Sequence, residues 1–391
     1  MAELAYQILP TANQIEVGNY SVFYREAGPA NAPTLLLLHG FPSSSFLFRH
    51  LIPVLALTYH VIAPDFPGFG FTKSPANFPH TFDNMADVME GFLDALDIKE
   101  FAEYIIDYGA PVGLRLAVRR PHAVKAIVTQ NGNAYAEGIG PAFDAIKTYW
   151  ASGSQSDRDA LKAFLSLEVT QSQYTTGTKD PAALEPESWW LDYALINDQP
   201  GNTDIQLDYF YDYRNNVAQY PQFQKYFRKS QVPLLAVWGE NDQFFIPAGA
   251  KAFKRDLPHA EIHLIDAGHF ALISNPKDIL HYMLPFLQKN LGPTLTWLST
   301  IRTAYTMANQ QPEIDCTFVN LTDDPAEGRG ARRAYIRRAV MKNFHKRRSQ
   351  KKKALKREAE AETTSSNDKS LAAPKALVAS RMSPQSRAMV S

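Results

Sequence analysis

Cysteine, net charge and long apolar runs are all scarce in this sequence, and each shortage excludes a class of protein. With Cys316 as its single cysteine, the chain can form neither an intramolecular disulfide nor a zinc site built from several thiolates. Its formal net charge of +0 gives no overall reason to expect binding to nucleic acid or to a membrane. Residues 1–20 lack a basic start followed by an apolar run, and the run at 35–38 is far too short to cross a bilayer. We therefore expect a soluble, cytoplasmic protein without a cofactor or a metal ion.

Apolar residues make up 45% of the 391 residues, which is enough for a large core. They recur in short runs that are typical of buried parallel strands, with helical patterns between most of the runs. Between the second and third runs, apolar side chains repeat with the spacing of one buried helix face: Met85, Val88, Met89, Phe92 and Leu96. This alternation predicts an α/β fold with a mostly parallel sheet. The runs lie at residues 34–38, 61–64, 103–106, 126–129, 234–238 and 262–265.

The alternation stops after residue 130 and resumes at residue 233, and the stretch between is too long for a loop. We predict a core formed by residues 1–133 and 231–291, interrupted by a helical insert at 134–230. The insert is rich in aromatic residues, some of which would form its own core while others could line an apolar cavity over the end of the sheet. These residues are Tyr149, Trp150, Tyr174, Trp189, Trp190, Tyr193, Tyr209, Tyr211, Tyr213 and Tyr220.

Residues 104–119 have the pattern of a strand, an abrupt turn and a helix. Gly109 and Gly113 lie where a sharp turn and close helix packing leave no room for a side chain. This is the pattern of a nucleophile elbow, but the chain contains no Gly-x-Ser-x-Gly, and Asp107 occupies the place of the serine. A carboxylate is ionised at neutral pH, so it can attack carbon without a base to activate it. The alternative is that Asp107 only caps the helix.

Two further segments supply candidates for an acid and a base in the chain order of such enzymes. Asp242 follows the run that ends at residue 238, and His269 follows the run that ends at residue 265. Either alone could be a turn residue or a surface histidine, but their joint placement after strands favours a catalytic pair. The backbone N–H groups of Phe41 and Tyr108 could face a developing oxyanion.

The set of motifs resembles the epoxide hydrolase and haloalkane dehalogenase branch of the α/β hydrolases. The motifs are HGFP at 39–42, DFPGFGFT at 65–72, DYGAPVG at 107–113, GEND at 239–242 and AGHF at 267–270, and the resemblance covers residues 10–290. It implies an eight-stranded, mostly parallel sheet with a helical cap inserted after the sixth strand. It also implies that Asp107 is the nucleophile, His269 the base that activates water, and Asp242 the acid that orients His269.

The resemblance also implies a substrate, a small apolar electrophile that reacts with water. Epoxide hydrolases need phenols from the cap to protonate the epoxide oxygen, and Tyr213 resembles one of their two cap tyrosines. Tyr149 is the nearest candidate for the other, although a purely structural tyrosine fits its position equally well. Haloalkane dehalogenases commonly carry Trp after the nucleophile, where this chain has Tyr108. Hydrolysis of an epoxide to a diol is therefore the first hypothesis and dehalogenation the alternative.

Residues 292–391 have a different composition, and much of this tail is expected to be disordered. Thirteen Lys or Arg and no acidic residue occur between 332 and 357. This segment could bind nucleic acid or direct the protein to the nucleus, or it could be a solvated helix without a partner. Two alternatives of another class follow: a homologue that binds small molecules without catalysis, and a regulatory protein that acts through its basic tail.

Overall fold

The computed structural model describes residues 8–292, and its centre is a sheet of eight strands. The order across the sheet is β1-β2-β4-β3-β5-β6-β7-β8. β2 runs antiparallel to both of its neighbours, and the other paired strands are parallel. The strands are β1 (Thr11–Val17), β2 (Tyr20–Ala27), β3 (Thr34–Leu38), β4 (His60–Pro64), β5 (Phe101–Ile106), β6 (Val124–Gln130), β7 (Leu234–Gly239) and β8 (Glu261–Ile265). The prediction of a mostly parallel, eight-stranded α/β fold is confirmed.

Helices cover both faces of the sheet, so every residue of the central strand β5 and of β7 is buried. This burial is the reason why these strands are mostly apolar in sequence. Four of the five residues of the apolar stripe predicted for one helix, Met85, Val88, Met89 and Phe92, are buried in α2 (Phe82–Ala95), whereas Leu96 caps its C-terminus and is half-buried. Outside the insert, the α-helices are α1 (Ile52–Leu55), α2 (Phe82–Ala95), α3 (Gly109–Arg119), α9 (Pro247–Asp256), α10 (Ala271–Ser274) and α11 (Pro276–Leu291).

The segment between β6 and β7, which we call the helical insert (residues 134–230), contains five α-helices and four short 3₁₀ helices. The α-helices are α4 (Asp144–Ser152), α5 (Gln155–Ala160), α6 (Leu167–Thr175), α7 (Glu187–Asn197) and α8 (Asn202–Ser230). The 3₁₀ helices are Ala136–Gly138, Pro141–Phe143, Leu161–Leu165 and Pro181–Ala183. Apart from Gly292, the predicted tail at 292–391 with its basic segment lies outside the described residues.

The long helix α8 is joined to the core by side-chain hydrogen bonds along its length. The Tyr209 hydroxyl donates to the Pro67 carbonyl at 3.0 Å, so α8 is tied to the loop after β4. The Asp212 carboxylate accepts from the Phe82 N–H at 2.9 Å, at the start of α2. These bonds fix the face of α8 that is turned toward the sheet. In the part of the chain that the structure describes, no helix is long and apolar enough to cross a membrane.

Candidate active site

Asp107 lies in a strained turn between β5 and α3. Its φ is +49°, a left-handed conformation that non-glycine residues adopt rarely and that Asp tolerates better than most. The turn packs this closely because a glycine follows it. A Cβ on Gly109 would lie 2.1 Å from the Leu38 carbonyl oxygen. A Cβ on Gly40 would lie 2.3 Å from Asp107 Oδ1, so the loop after β3 also packs directly on the carboxylate. Backbone strain at a single acidic residue is typical of functional sites.

The two carboxylate oxygens of Asp107 have different surroundings. Oδ1 accepts a hydrogen bond of 2.6 Å from the Phe41 N–H, whereas Oδ2 lies 3.9 Å from Nε2 of His269. Burial raises the pKa of Asp107 to about 6, and His269 and the N–H groups of Phe41 and Tyr108 hold it from rising further. The carboxylate is therefore mostly ionised at neutral pH, with Oδ2 directed toward the imidazole.

Asp242 fixes the orientation of His269. Nδ1 of His269 and Oδ2 of Asp242 are 2.8 Å apart, and the other oxygen of Asp242 accepts from the Phe244 N–H at 2.8 Å. With its proton on Nδ1, the imidazole turns the lone pair of Nε2 toward Asp107. Burial lowers the pKa of His269, but the charge of Asp242 and its hydrogen bond outweigh burial, so the pKa lies above the usual 6.5. The three residues predicted from separate motifs are thus brought together.

Asn131 was not predicted from the sequence, yet it holds the acid in place. It directly follows β6 with a φ of +49°, and its Nδ2 donates to Asp242 Oδ2 at 2.8 Å. Its Oδ1 accepts from the Gly239 N–H at 2.9 Å, which joins the end of β6 to the end of β7. The sequence did contain a signal for Asn131, because it is a polar residue directly after a buried strand. The same signal identified Asp242 and His269 as candidates.

His39 supports the loop that carries the Phe41 N–H. Its Nε2 accepts from the Phe66 N–H at 3.0 Å, so its proton is on Nδ1, which donates to the Gly40 carbonyl at 3.1 Å. Complete burial lowers the pKa of His39 to about 4. The residue is therefore a neutral structural group at physiological pH, and its surroundings leave it no role in proton transfer.

A narrow, mostly apolar cavity lies over Asp107 and His269. The cavity has a volume of about 20 Å³, which is room for one or two water molecules. Asp107 and His269 are the two lining residues that can carry a charge near neutral pH. Among the described residues, no group of three or more His, Cys, Asp or Glu is arranged to hold a metal ion. The lining consists of Phe41, Asp107, Tyr108, Phe143, Ile146, Phe164, Gln173, Phe210, Tyr213, Phe244 and His269.

Of the two predicted cap tyrosines, the structure brings Tyr213 to this cavity. Its hydroxyl is buried and has no hydrogen-bond partner among the described residues. Burial, the Tyr220 hydroxyl and the charge of Asp107 keep the pKa of Tyr213 well above its ordinary value. Tyr213 is therefore a neutral phenol in the wall of the cavity, with the Tyr220 hydroxyl close enough to affect its pKa.

Tyr149 lies elsewhere, so its predicted role as a proton donor finds no support in its position. It is not among the residues that line the cavity, its ring packs against Tyr211, and its hydroxyl accepts a 3.2 Å hydrogen bond from Arg158. The expectation that several tyrosines and tryptophans of the insert would line the cavity was also too broad. Apart from Tyr213, the lining aromatics of the insert are phenylalanines that the sequence analysis did not single out: Phe143, Phe164 and Phe210.

The fold agrees with comparisons to known proteins. The family model described as alpha/beta hydrolase fold matches residues 33–276. The chain belongs to the α/β hydrolase family. Over 274 residues, which are 69% of the chain and 94% of its relative, this hydrolase is 46% identical to the uncharacterized hydrolase YNR064C of Saccharomyces cerevisiae.

Two further relatives carry more specific names. The hydrolase is 26% identical to Epoxide hydrolase 3 of Mus musculus over 69% of the chain and 74% of that protein. The crystal structure of haloalkane dehalogenase DbeA from Bradyrhizobium elkani has a TM-score of 0.60, with 21% identity over 75% of the chain and 99% of the dehalogenase. At that identity the structural likeness shows the fold alone.

Proposed function

We propose that this hydrolase converts small epoxides to diols through a covalent ester on Asp107, with Asp242, His269 and Tyr213 as its partners. The proposal rests on the different surroundings of the two carboxylate oxygens of Asp107. Oδ1 accepts a hydrogen bond from the Phe41 N–H, while Oδ2 lies on the side of His269, in a cavity that the Tyr213 phenol also lines. We infer that the helical insert acts as the cap that closes over this cavity. The relative named Epoxide hydrolase 3 supports the same substrate class.

In the first step, Asp107 Oδ2 attacks an epoxide carbon and the bond from that carbon to the ring oxygen breaks. The product is an ester between Asp107 and the opened substrate. The ring oxygen takes the proton of Tyr213, whose buried hydroxyl lines the cavity. Such a general acid contributes about 100-fold or more to the rate, because an alkoxide leaves poorly without a proton.

In the second step, His269 Nε2 removes a proton from water and the hydroxide attacks the carboxyl carbon of Asp107. The negative charge develops on Oδ1, where the Phe41 N–H already donates at 2.6 Å. Collapse of this intermediate releases the diol oxygen, which takes the proton from His269. The proton left on the Asp107 carboxyl returns to Tyr213 through solvent, so one water is consumed for each epoxide and the enzyme is restored.

A haloalkane dehalogenase is the alternative within the same chemistry, but the cavity offers little to a halide ion. No tryptophan is among the lining residues, and the indole N–H of Trp150 already donates to the Phe210 carbonyl at 2.7 Å.

A non-catalytic binding protein is the alternative of another class. It gives no reason for a buried imidazole that is hydrogen-bonded to one carboxylate, Asp242, and lies 3.9 Å from a second buried carboxylate, Asp107. The regulatory alternative rests on the basic tail and is independent of this site.

The proposal is tested with a panel of small epoxides and haloalkanes incubated with the wild-type protein and with Asp107→Asn prepared fresh. We expect diol formation by the wild type and its loss in the variant, because an amide oxygen is a far weaker nucleophile than a carboxylate. Halide release without diol would replace the epoxide proposal with the dehalogenase alternative. No product from either panel would contradict both and favour a binding protein.

A further inference from the structure

Gln173 is a polar side chain in the cavity that the steps above do not use. It is 4% exposed, and its Nε2 has no hydrogen-bond partner among the described residues. An amide N–H buried without an acceptor is costly, so native proteins usually reserve such a donor for a ligand or an ordered water. The Tyr213 hydroxyl is in the same condition and lines the same cavity. Two unpaired donors thus share one small space with Asp107 and His269.

The position of Gln173 is set by contacts between the end of α6 and the loop that carries His269. The next residue, Tyr174, stacks on Phe270 with ring centroids 4.0 Å apart and an interplanar angle of 7°. The Tyr174 hydroxyl also donates to the buried carboxylate of Asp192. Two residues beyond α6, the Gly177 carbonyl accepts from the Asn241 amide at 3.0 Å. These contacts hold α6 against the core and place Gln173 in the wall of the cavity.

We propose that Gln173 is the second donor to the oxygen that leaves the epoxide carbon, the role for which Tyr149 was the nearest candidate in the sequence. The inference rests on the proposed function and deepens it. An amide cannot release its proton at physiological pH, so the transferred proton comes from Tyr213 while Gln173 contributes a hydrogen bond. That bond strengthens as charge develops on the oxygen and orients the ring toward Asp107 Oδ2.

The chemistry of the free atom favours the leaving oxygen over the hydrolytic water. A water that gives one proton to His269 must place its other proton on an acceptor, and a donor to its oxygen would weaken its attack. The unpaired atom of Gln173 is a donor, Nε2. A developing alkoxide accepts hydrogen bonds strongly, whereas a departing bromide accepts them weakly. The role of Gln173 should therefore depend on the leaving group.

The experiment compares the full-length wild type with Gln173→Met, which keeps the length of the side chain and removes the donor. The matched control is Gln171→Met, the same substitution at an exposed position of α6. A small terminal epoxide is mixed with excess enzyme, and intact-mass spectra follow the formation and decay of the ester over time. We expect Gln173→Met to slow ester formation by about 10- to 100-fold and to leave ester decay unchanged, with no effect in Gln171→Met.

A pH profile of Gln173→Glu keeps the proposal testable if the Met variant folds poorly. An ionised carboxylate can only accept, so ester formation in this variant should fall as the pH rises from about 6 to 9, whereas the wild type should not lose activity over that range. Equal slowing of formation and decay, slowing of decay alone, or no slowing in Gln173→Met would each overturn the role of Gln173 while the proposed function stands. A wild type that forms no ester with any epoxide would overturn the proposed function, and this role with it.

Discussion

Two regions meet at the cavity: the loops at the carboxyl ends of the strands, which we call the sheet side, and the helices of the insert, which we call the insert side. They differ in how far their polar atoms are hydrogen-bonded. On the sheet side, the polar atoms of Asp242 are fully used: one oxygen accepts from Phe244, and the other accepts from Asn131 and His269. On the insert side, the Gln173 amide and the Tyr213 hydroxyl lie among phenylalanine side chains, and neither is paired by the geometric hydrogen bonds of the described residues. The first region is saturated with hydrogen bonds, whereas we propose that a substrate oxygen completes the second.

This contrast separates two tasks. A catalytic group must keep its orientation through every step, and a saturated hydrogen-bond network does this at little reorganisation cost. A group that recognises substrate must stay free to bind it, and the energy lost by its unpaired state is recovered when a substrate oxygen arrives. Substitutions on the sheet side should therefore affect the hydrolysis of the ester, and those on the insert side its formation.

The largest effect is expected for His269→Gln. Loss of the base should reduce turnover about 10,000-fold while leaving the attack by Asp107 in place, so an ester should accumulate. Intact-mass spectra should show the protein plus one substrate, with the added mass on the peptide that contains Asp107. Trapping should weaken as the pH falls through the pKa of Asp107, about 6 in the intact site, because the protonated carboxyl is a poor nucleophile. A variant that stays unmodified while the wild type makes diol would break the assignment of His269 to the second step.

A smaller effect, on the other half-reaction, is expected for Tyr213→Phe. Removal of the phenol proton should slow ester formation about 100-fold and leave ester decay unchanged. Tyr149→Phe is the matched control, since it removes a hydroxyl that is bonded to Arg158 outside the cavity, and it should have little effect. Single-turnover mass spectra measure both steps. A larger loss in Tyr149→Phe than in Tyr213→Phe would contradict the assignment of Tyr213 as the proton donor of the insert side.

The smallest effect is expected for Asn131→Gly, which removes the amide and still permits the positive φ. Asp242 would lose one donor, so we expect turnover to fall about 10-fold. The pKa of His269, already raised by Asp242, should rise further because the carboxylate is less stabilised by other donors. Since His269 must be neutral to act, the pH below which turnover declines should move upward. The pH–rate profile measures this, and a profile that moves downward or stays in place would show that Asn131 does not act through Asp242.

The sequence predicted the sheet side far better than the insert side. Buried parallel strands are recognisable as apolar runs, and the residues that follow them must meet at one edge of the sheet, which identified Asp107, Asp242 and His269. The first two strands, β1 at the edge of the sheet and β2 beside it, formed no such runs, because they are partly exposed and mix polar with apolar residues. Their presence came from the family resemblance alone.

On the insert side, the pattern of aromatic residues shows that helices pack but not which face turns toward the cavity. The sequence matched Tyr213 to a cap tyrosine of the family and left a structural role equally open for Tyr149, and their positions separate through contacts made far along the chain, such as that of Asp212 with Phe82. Gln173 carried no motif at all. It became visible because the stack of Tyr174 on Phe270 fixes the direction of its neighbour.

The covalent ester is tested most directly by a single turnover in H₂¹⁸O, with enzyme in excess over a small epoxide. The proposed mechanism has water attack the carboxyl carbon of Asp107, so it predicts that the heavy oxygen appears on the Asp107 peptide and that the first diol released carries none. Heavy oxygen in the first diol with an unlabelled Asp107 peptide would mean that water attacks the epoxide directly and would contradict the account.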